Sequence, residues 1–219
     1  MVVRESFQTQ LDELREMLVE LGQLAENALE EAIDALKNQD IDKALRIIDN
    51  DYRINDLEEE INDKAILLIA KQAPVASDLR RIIVSIKISS DVERIADFAV
   101  NIAKSVIRIG NEPLIKPLED IPDLAETAKS MLTEAIEAYK EEDIVLAKNM
   151  ADKDDYVDEK YGQLIQEILG KLKEYPDSTN QIIQLSFICR YIERTADHAT
   201  NIAESIVYLV KGKHYDLNE

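Results

Sequence analysis

Glu93, Asp97 and Asn101 follow one another at i, i+4 and i+8, so on a helix they form a nearly straight row of oxygen-bearing side chains. One hundred residues later Glu193, Asp197 and Asn201 repeat the row. A second pair of stripes, Asp51 with Asn55 and Asp154 with Asp158, stands at a fixed separation of 103 residues. Two carboxylates one helical turn apart repel each other by a few tenths of a kcal/mol, a cost that a bound cation or a facing arginine reverses. If neighbouring helices bring the stripes together, each repeat carries an all-oxygen site suited to hard cations such as Mg²⁺, Mn²⁺ or iron. The competing reading is a solvated acidic face, which the overall charge of −19 makes common in this chain.

These residues need helices to align them, and the breakers leave room for long ones. Glycine occurs at 22, 110, 162, 170 and 212, and proline at 74, 113, 117, 122 and 176. Phe7, Leu11, Leu14, Leu18, Leu21, Ala25, Ala28, Ala32 and Ala35 alternate spacings of four and three, the seam of a left-handed bundle. That helix is expected to end near Asn38-Gln39, with Asp40 or Asp42 capping a second helix that runs through Ile47, Ile54, Ile61 and Leu68 to Pro74. A third, capped by Ser77 or Asp78, is expected to run to about Gly110. On it Leu79, Ile82 and Ile86 precede the acidic row on one face, while Val84, Ile88, Ile95, Ile102 and Ile109 take the opposite face.

The plan then recurs. Ala32-Ile33-Asp34-Ala35 matches Ala135-Ile136-Glu137-Ala138, and the segment from Glu93 to Ser105 matches that from Glu193 to Ser205 with nine identities in thirteen positions. Shared alanines come cheaply in helices, but a shared Glu, Arg, Asp and Asn in one register do not. The expected fold is therefore all-α: two tandem, similar three-helix bundles with six long helices and an internal duplication. Residues 1–110 form the first bundle, 111–122 a proline-containing linker and 123–219 the second bundle.

Composition narrows the function. A charge of −19 repels nucleic acid and anionic lipid at long range and favours cations or basic protein surfaces. The longest uncharged stretch, Ser178 to Cys189, is short and partly polar, whereas a membrane span needs about 20 apolar residues. With no secretory leader in the N-terminal residues and the single Cys189 reading as core, a cytoplasmic location is expected. The Glu-x-x-His pairs of ferritin-like di-iron bundles are absent, since Thr195 and Lys211 stand at i−3 of His198 and His214. Phosphate loops, nucleophile elbows and Cys-x-x-Cys pairs are absent too, so no enzyme is expected. The runs Glu58-Glu59-Glu60 and Glu141-Glu142-Asp143 read as solvated faces, and His198, in place of Phe98, as packing.

The segments Asp49 to Leu57, Ala73-Pro74-Val75-Ala76-Ser77-Asp78-Leu79-Arg80, Val92 to Asp97, Ile192 to Asp197 and Tyr208 to Gly212 together resemble the PhoU family of phosphate-transport regulatory proteins. The resemblance covers essentially the whole chain. It implies two similar three-helix bundles and a cytoplasmic accessory of the phosphate ABC transporter that reaches the membrane only through its partners. It also implies a negative regulator of phosphate uptake and of the phosphate-starvation response, an adaptor between the transporter's ATPase side and a phosphate-sensing histidine kinase, with a homodimer as a further expectation. The metal role falls by resemblance on Glu93, Asp97, Glu193, Asp197, Asp154, Asp158 and Asp51, with Asn55 a weaker ligand and Asn101 and Asn201 as neighbours. Iron, manganese, magnesium or zinc is the expected ion. The alternatives are a carboxylate-bundle metal-storage or redox protein and a purely structural helical scaffold. The second repeat has Pro176-Asp177-Ser178-Thr179-Asn180 where the first has its Asp-Leu-Arg turn, so a partner contact through Asp78 and Arg80 would be one-sided.

Overall fold

The computed structural model describes residues 2–115 and 118–217. In chain order the helices are α1 (Val2–Asn38), α2 (Ile41–Asn50), α3 (Tyr52–Gln72), α4 (Ala76–Ile109), α5 (Asp120–Glu141), α6 (Ile144–Lys148), α7 (Met150–Gly170) and α8 (Thr179–Lys211). No strand occurs among the described residues. The pairs α2–α3 and α6–α7 are bent legs, so each repeat has three legs.

The bends fall where the sequence reading expects unbroken helix. Asp51 and Asn149 both keep right-handed helical angles, so each leg turns rather than stops. In the first repeat the run Asp49-Asn50-Asp51 is made of weak helix formers whose side chains compete for the backbone. The consequence for the site is direct, because Asp51 sits at the elbow.

Asp40 caps α2 by accepting from the Lys43 amide at 2.8 Å, and Asp143 caps α6 by accepting from the amides of Val145 and Leu146. The third legs are not capped as expected. Val75 and Ser178 hold the cap positions of α4 and α8, neither through its side chain, and Asp78 lies inside the first turn beside Arg81. Pro122, expected in the linker, lies in the first turn of α5. The first part of the linker is tied to both repeats: Gln39 donates to the carbonyls of Gly110 and Glu112, and Gln181 accepts from the Ile115 amide at 2.7 Å.

The long legs α4 and α8 pack along each other, with α1, α2 and α3 around the first and α5, α6 and α7 around the second. Asp91 of α4 meets His198 of α8, and Phe98 of α4 meets Tyr191 of α8, so the two run antiparallel. These positions are exchanged by the 100-residue repeat, so the pair carries a local pseudo-twofold. The seam of α1 is buried as its spacing demands, with Leu14, Leu18 and Leu21 at 1% exposure or less. Each such leucine contributes on the order of 1.5–3 kcal/mol. Where α1 crosses α5, a Cβ on Gly22 would stand 2.7 Å from Ile136 Cγ1, so only glycine permits that approach.

Candidate metal centre

The acidic rows lie on the flanks of α4 and α8, each facing the bent leg of its own repeat. In the second repeat Asp158 of α7 and Glu193 and Asp197 of α8 each place a carboxylate oxygen within 4.8 Å of the others. No other group of three His, Cys, Asp or Glu ligand atoms converges in this way among the described residues. Glu193 and Asp197 are half-buried and Asp158 is exposed. Glu193 Oε2 is buried without a hydrogen-bond partner.

The electrostatics register that crowding. Burial, reinforced by the charge of Asp197, pushes the Glu193 carboxyl up from 4.5 to about 7. Burial and then Asp158 raise Asp197 as well. Arg190 and Arg194 offset part of this field, but Arg190 is also drawn to Tyr161 and Arg194 lies over the Phe98 ring, 5.2 Å from its centroid. The carboxylates are thus under-neutralised by the protein. A cation fits that donor set: three converging carboxylates, one of which also carries a buried oxygen without a hydrogen-bond partner, suit a hard ion and repel one another without it.

The first repeat assembles the same rows more loosely. Burial raises Glu93, with Asp97 next in effect and Glu58 and Asp51 contributing. Burial likewise raises Asp51, opposed by Asn55, whose amide donates to Asp51 Oδ2 at 3.2 Å. Here the exposed Arg94 folds along its own helix, donating to Asp97 Oδ2 at 3.1 Å and lying 3.8 Å from Glu93 Oε2. The row is therefore partly answered by its own arginine.

Of the remaining expected residues, Asp154 is buried one turn before Asp158 and outside the converging trio, while Asn101 and Asn201 are half-buried one turn beyond the aspartates. Glu58 was missed in the sequence as part of a solvated run. It is half-buried, accepts from Asn62 at 2.6 Å and bears on Glu93. Its spacing of seven from Asp51, two helical turns, was the available signal. Cys189 is fully buried, and His198 joins Asp91 at 2.9 Å beside the Phe98 ring, a packing role.

Fold and site together define a class: a duplicated six-legged helical protein with an acidic row on the flank of each central leg, converging with the bent leg in the second repeat. The PhoU domain model matches residues 18–106 and again 121–206. The chain belongs to the PhoU family. It is 38% identical to the phosphate-specific transport system accessory protein PhoU homolog of Clostridium acetobutylicum over the full length of both chains. It is 36% identical to the homolog of Rhizobium meliloti, covering 96% of this chain and 89% of that one. The crystal structure of the phosphate transport system regulatory protein PhoU from Streptococcus pneumoniae superposes with a TM-score of 0.90 at 32% identity, covering 96% of this chain and 99% of that one. PhoU from Pseudomonas aeruginosa gives 0.90 at 31% identity, covering 94% and 100%. These relatives are named accessory or regulatory proteins, not enzymes. No helix among the described residues is long and apolar enough to cross a membrane.

Proposed function

We propose that this chain is an accessory regulator of phosphate transport, holding uptake and the phosphate-starvation response down when phosphate is plentiful. The observation that carries the reading is full-length similarity, in sequence and fold, to proteins named for that transport system. The partners in this reading are the cytoplasmic ATPase side of a phosphate ABC transporter and a phosphate-sensing histidine kinase. A −19 chain associates with basic protein surfaces by steering that weakens with salt, which suits a protein that reaches the membrane through partners.

In the same reading Asp158, Glu193 and Asp197 hold a hard cation, with Asp154 behind them, and Glu93, Asp97 and Asp51 form a second, weaker site. The ion supplies positive charge to an under-neutralised surface. The chain's part is to hold the bent leg α6–α7 against α8 through carboxylates that otherwise repel. Metal loading then stiffens the flank that the third leg presents.

Deletion of the gene tests the regulatory reading. Starvation genes are expected to be expressed in phosphate-rich medium and silenced again by the wild-type copy. Normal repression in the deletion strain, in the absence of a second family member, would contradict it.

A further inference from the structure

Between α1, the α2–α3 elbow and α4 lies a cavity of about 200 Å³. Ala28, Ile47 and Val100 form its apolar floor, and Glu31, Asn50 and Asp51 stand at its rim. The internal duplication shows what the same space holds in the other repeat. At the 103-residue offset Ala28 becomes Met131, which is fully buried, and Asn50 becomes Lys153. The Lys153 ammonium is bonded to Glu134 and reaches Ser130 Oγ at 3.3 Å. Glu134 and Ser130 are the counterparts of Glu31 and Asn27.

The first repeat therefore lacks the thioether and the alkylammonium of the second but has the carboxylate that receives it there. Glu31 makes no hydrogen bond or ion pair among the described residues. The neighbouring cations hold other partners: Lys43 feels the charge of Glu31 but is bonded to Asp34, and Arg53 lies over the Tyr52 ring and reaches its hydroxyl at 3.5 Å. An apolar floor with a carboxylate at one end has the shape and polarity of a site for a charged head on a hydrocarbon stem.

We propose that this cavity binds a primary ammonium group on an aliphatic stem, the group that Lys153 supplies from within the chain in the second repeat. The stem lies on Ala28, Ile47 and Val100, and the ammonium donates to Glu31 and to the Asn27 amide oxygen. Such a group comes either from a free aliphatic amine or from a lysine side chain of a partner protein.

Calorimetric or NMR titration of the full chain with pentylammonium chloride, at ionic strength matched with NaCl, tests the site. Saturable binding is expected, with 1-pentanol, which has the stem without the charge, at least about tenfold weaker. Glu31→Gln is expected to weaken pentylammonium binding about tenfold, since one charge-assisted hydrogen bond is replaced by a neutral one. Ala28→Met with Asn50→Lys copies the second repeat and is expected to abolish binding while raising the melting temperature. If that double variant does not fold, Glu31→Gln alone decides, because Glu31 is exposed and glutamine keeps its shape. A second titration uses a short peptide carrying one internal lysine. Binding of both probes assigns the site to a partner's lysine, and binding of pentylammonium alone assigns it to a free amine. No saturable binding of pentylammonium by the wild type, or equal binding by Glu31→Gln, would overturn the proposal.

Discussion

The acidic rows of the two repeats are nearly identical in sequence, yet Arg94 pairs with Asp97 while Arg194 leaves Glu193 and Asp197 for the Phe98 ring. The pseudo-twofold explains the divergence. Arg194 finds an aromatic face across the α4–α8 interface, whereas the position facing Arg94 is His198, already bonded to Asp91. Partner acids differ as well: Asp158 stands where the first repeat has the neutral Asn55. One substitution on each of two helices thus separates a row partly answered by its own arginine from a converging row that is less compensated. Duplication preserved the Glu-Arg-x-x-Asp rows themselves, and the neighbours decide how much cation each row calls for.

The largest effect separates the two rows by stability. A cation that binds only the folded chain stabilises it by about 2.7 kcal/mol at a hundredfold excess over its Kd. Chelation of the metal-loaded wild type is therefore expected to lower its melting temperature. Glu193→Gln with Asp197→Asn should lose most of that chelator response, and Glu93→Gln with Asp97→Asn a smaller part. Equal responses in the two variants would erase the distinction between the repeats.

Next comes pH. Asp51, Glu93, Glu193 and Asp197 all have raised pKa values in the folded, metal-free chain, so the folded state binds protons more tightly than the unfolded one. Stability from these groups is then full below their unfolded values and is lost as pH rises through the folded ones. For Glu193 that window runs from 4.5 to about 7. Denaturant midpoints of the metal-free wild type and of Glu193→Gln are expected to converge toward about pH 4.5 and to diverge toward about pH 8, with the variant more stable there. Parallel curves would place Glu193 at its ordinary value.

Much of this was legible in sequence because helix periodicity and repeat register are local properties. The seam from Leu11 to Ala35 and the Glu-Arg-x-x-Asp rows could be placed on faces from spacing alone. The elbows at Asp51 and Asn149 could not, since both residues keep helical angles and the same weak helix formers also stand inside unbroken helices, as Asn62 and Asn101 do. The orientation of Arg94 against Arg194 was hidden for a different reason. It depends on residues a hundred positions away, across the α4–α8 interface, so identical local motifs concealed different arginine partners. Glu58 was lost among its neighbours Glu59 and Glu60, where composition outweighed register.

Two smaller effects probe the neighbours. Phe98→Leu removes the ring beneath Arg194, a contact worth about 0.5–1 kcal/mol. The freed guanidinium is expected to turn toward Glu193 and Asp197, lowering the Glu193 pKa in an NMR titration and weakening metal binding in the second repeat. An unchanged titration would show that Arg194 does not govern the row. Asn55→Asp gives the first repeat the acid that Asp158 provides in the second, and is expected to strengthen metal binding there by a few-fold in competition with a chelator. No gain would place the first row's weakness elsewhere than in its missing carboxylate.

The most direct measurement is elemental analysis of protein purified without an affinity tag, in parallel for the wild type and the two double variants. Metal bound in the wild type, lost in the greater part from Glu193→Gln with Asp197→Asn and in the lesser part from Glu93→Gln with Asp97→Asn, is the predicted result. Metal stoichiometry unchanged by either double substitution would contradict it and return both rows to solvated acidic faces.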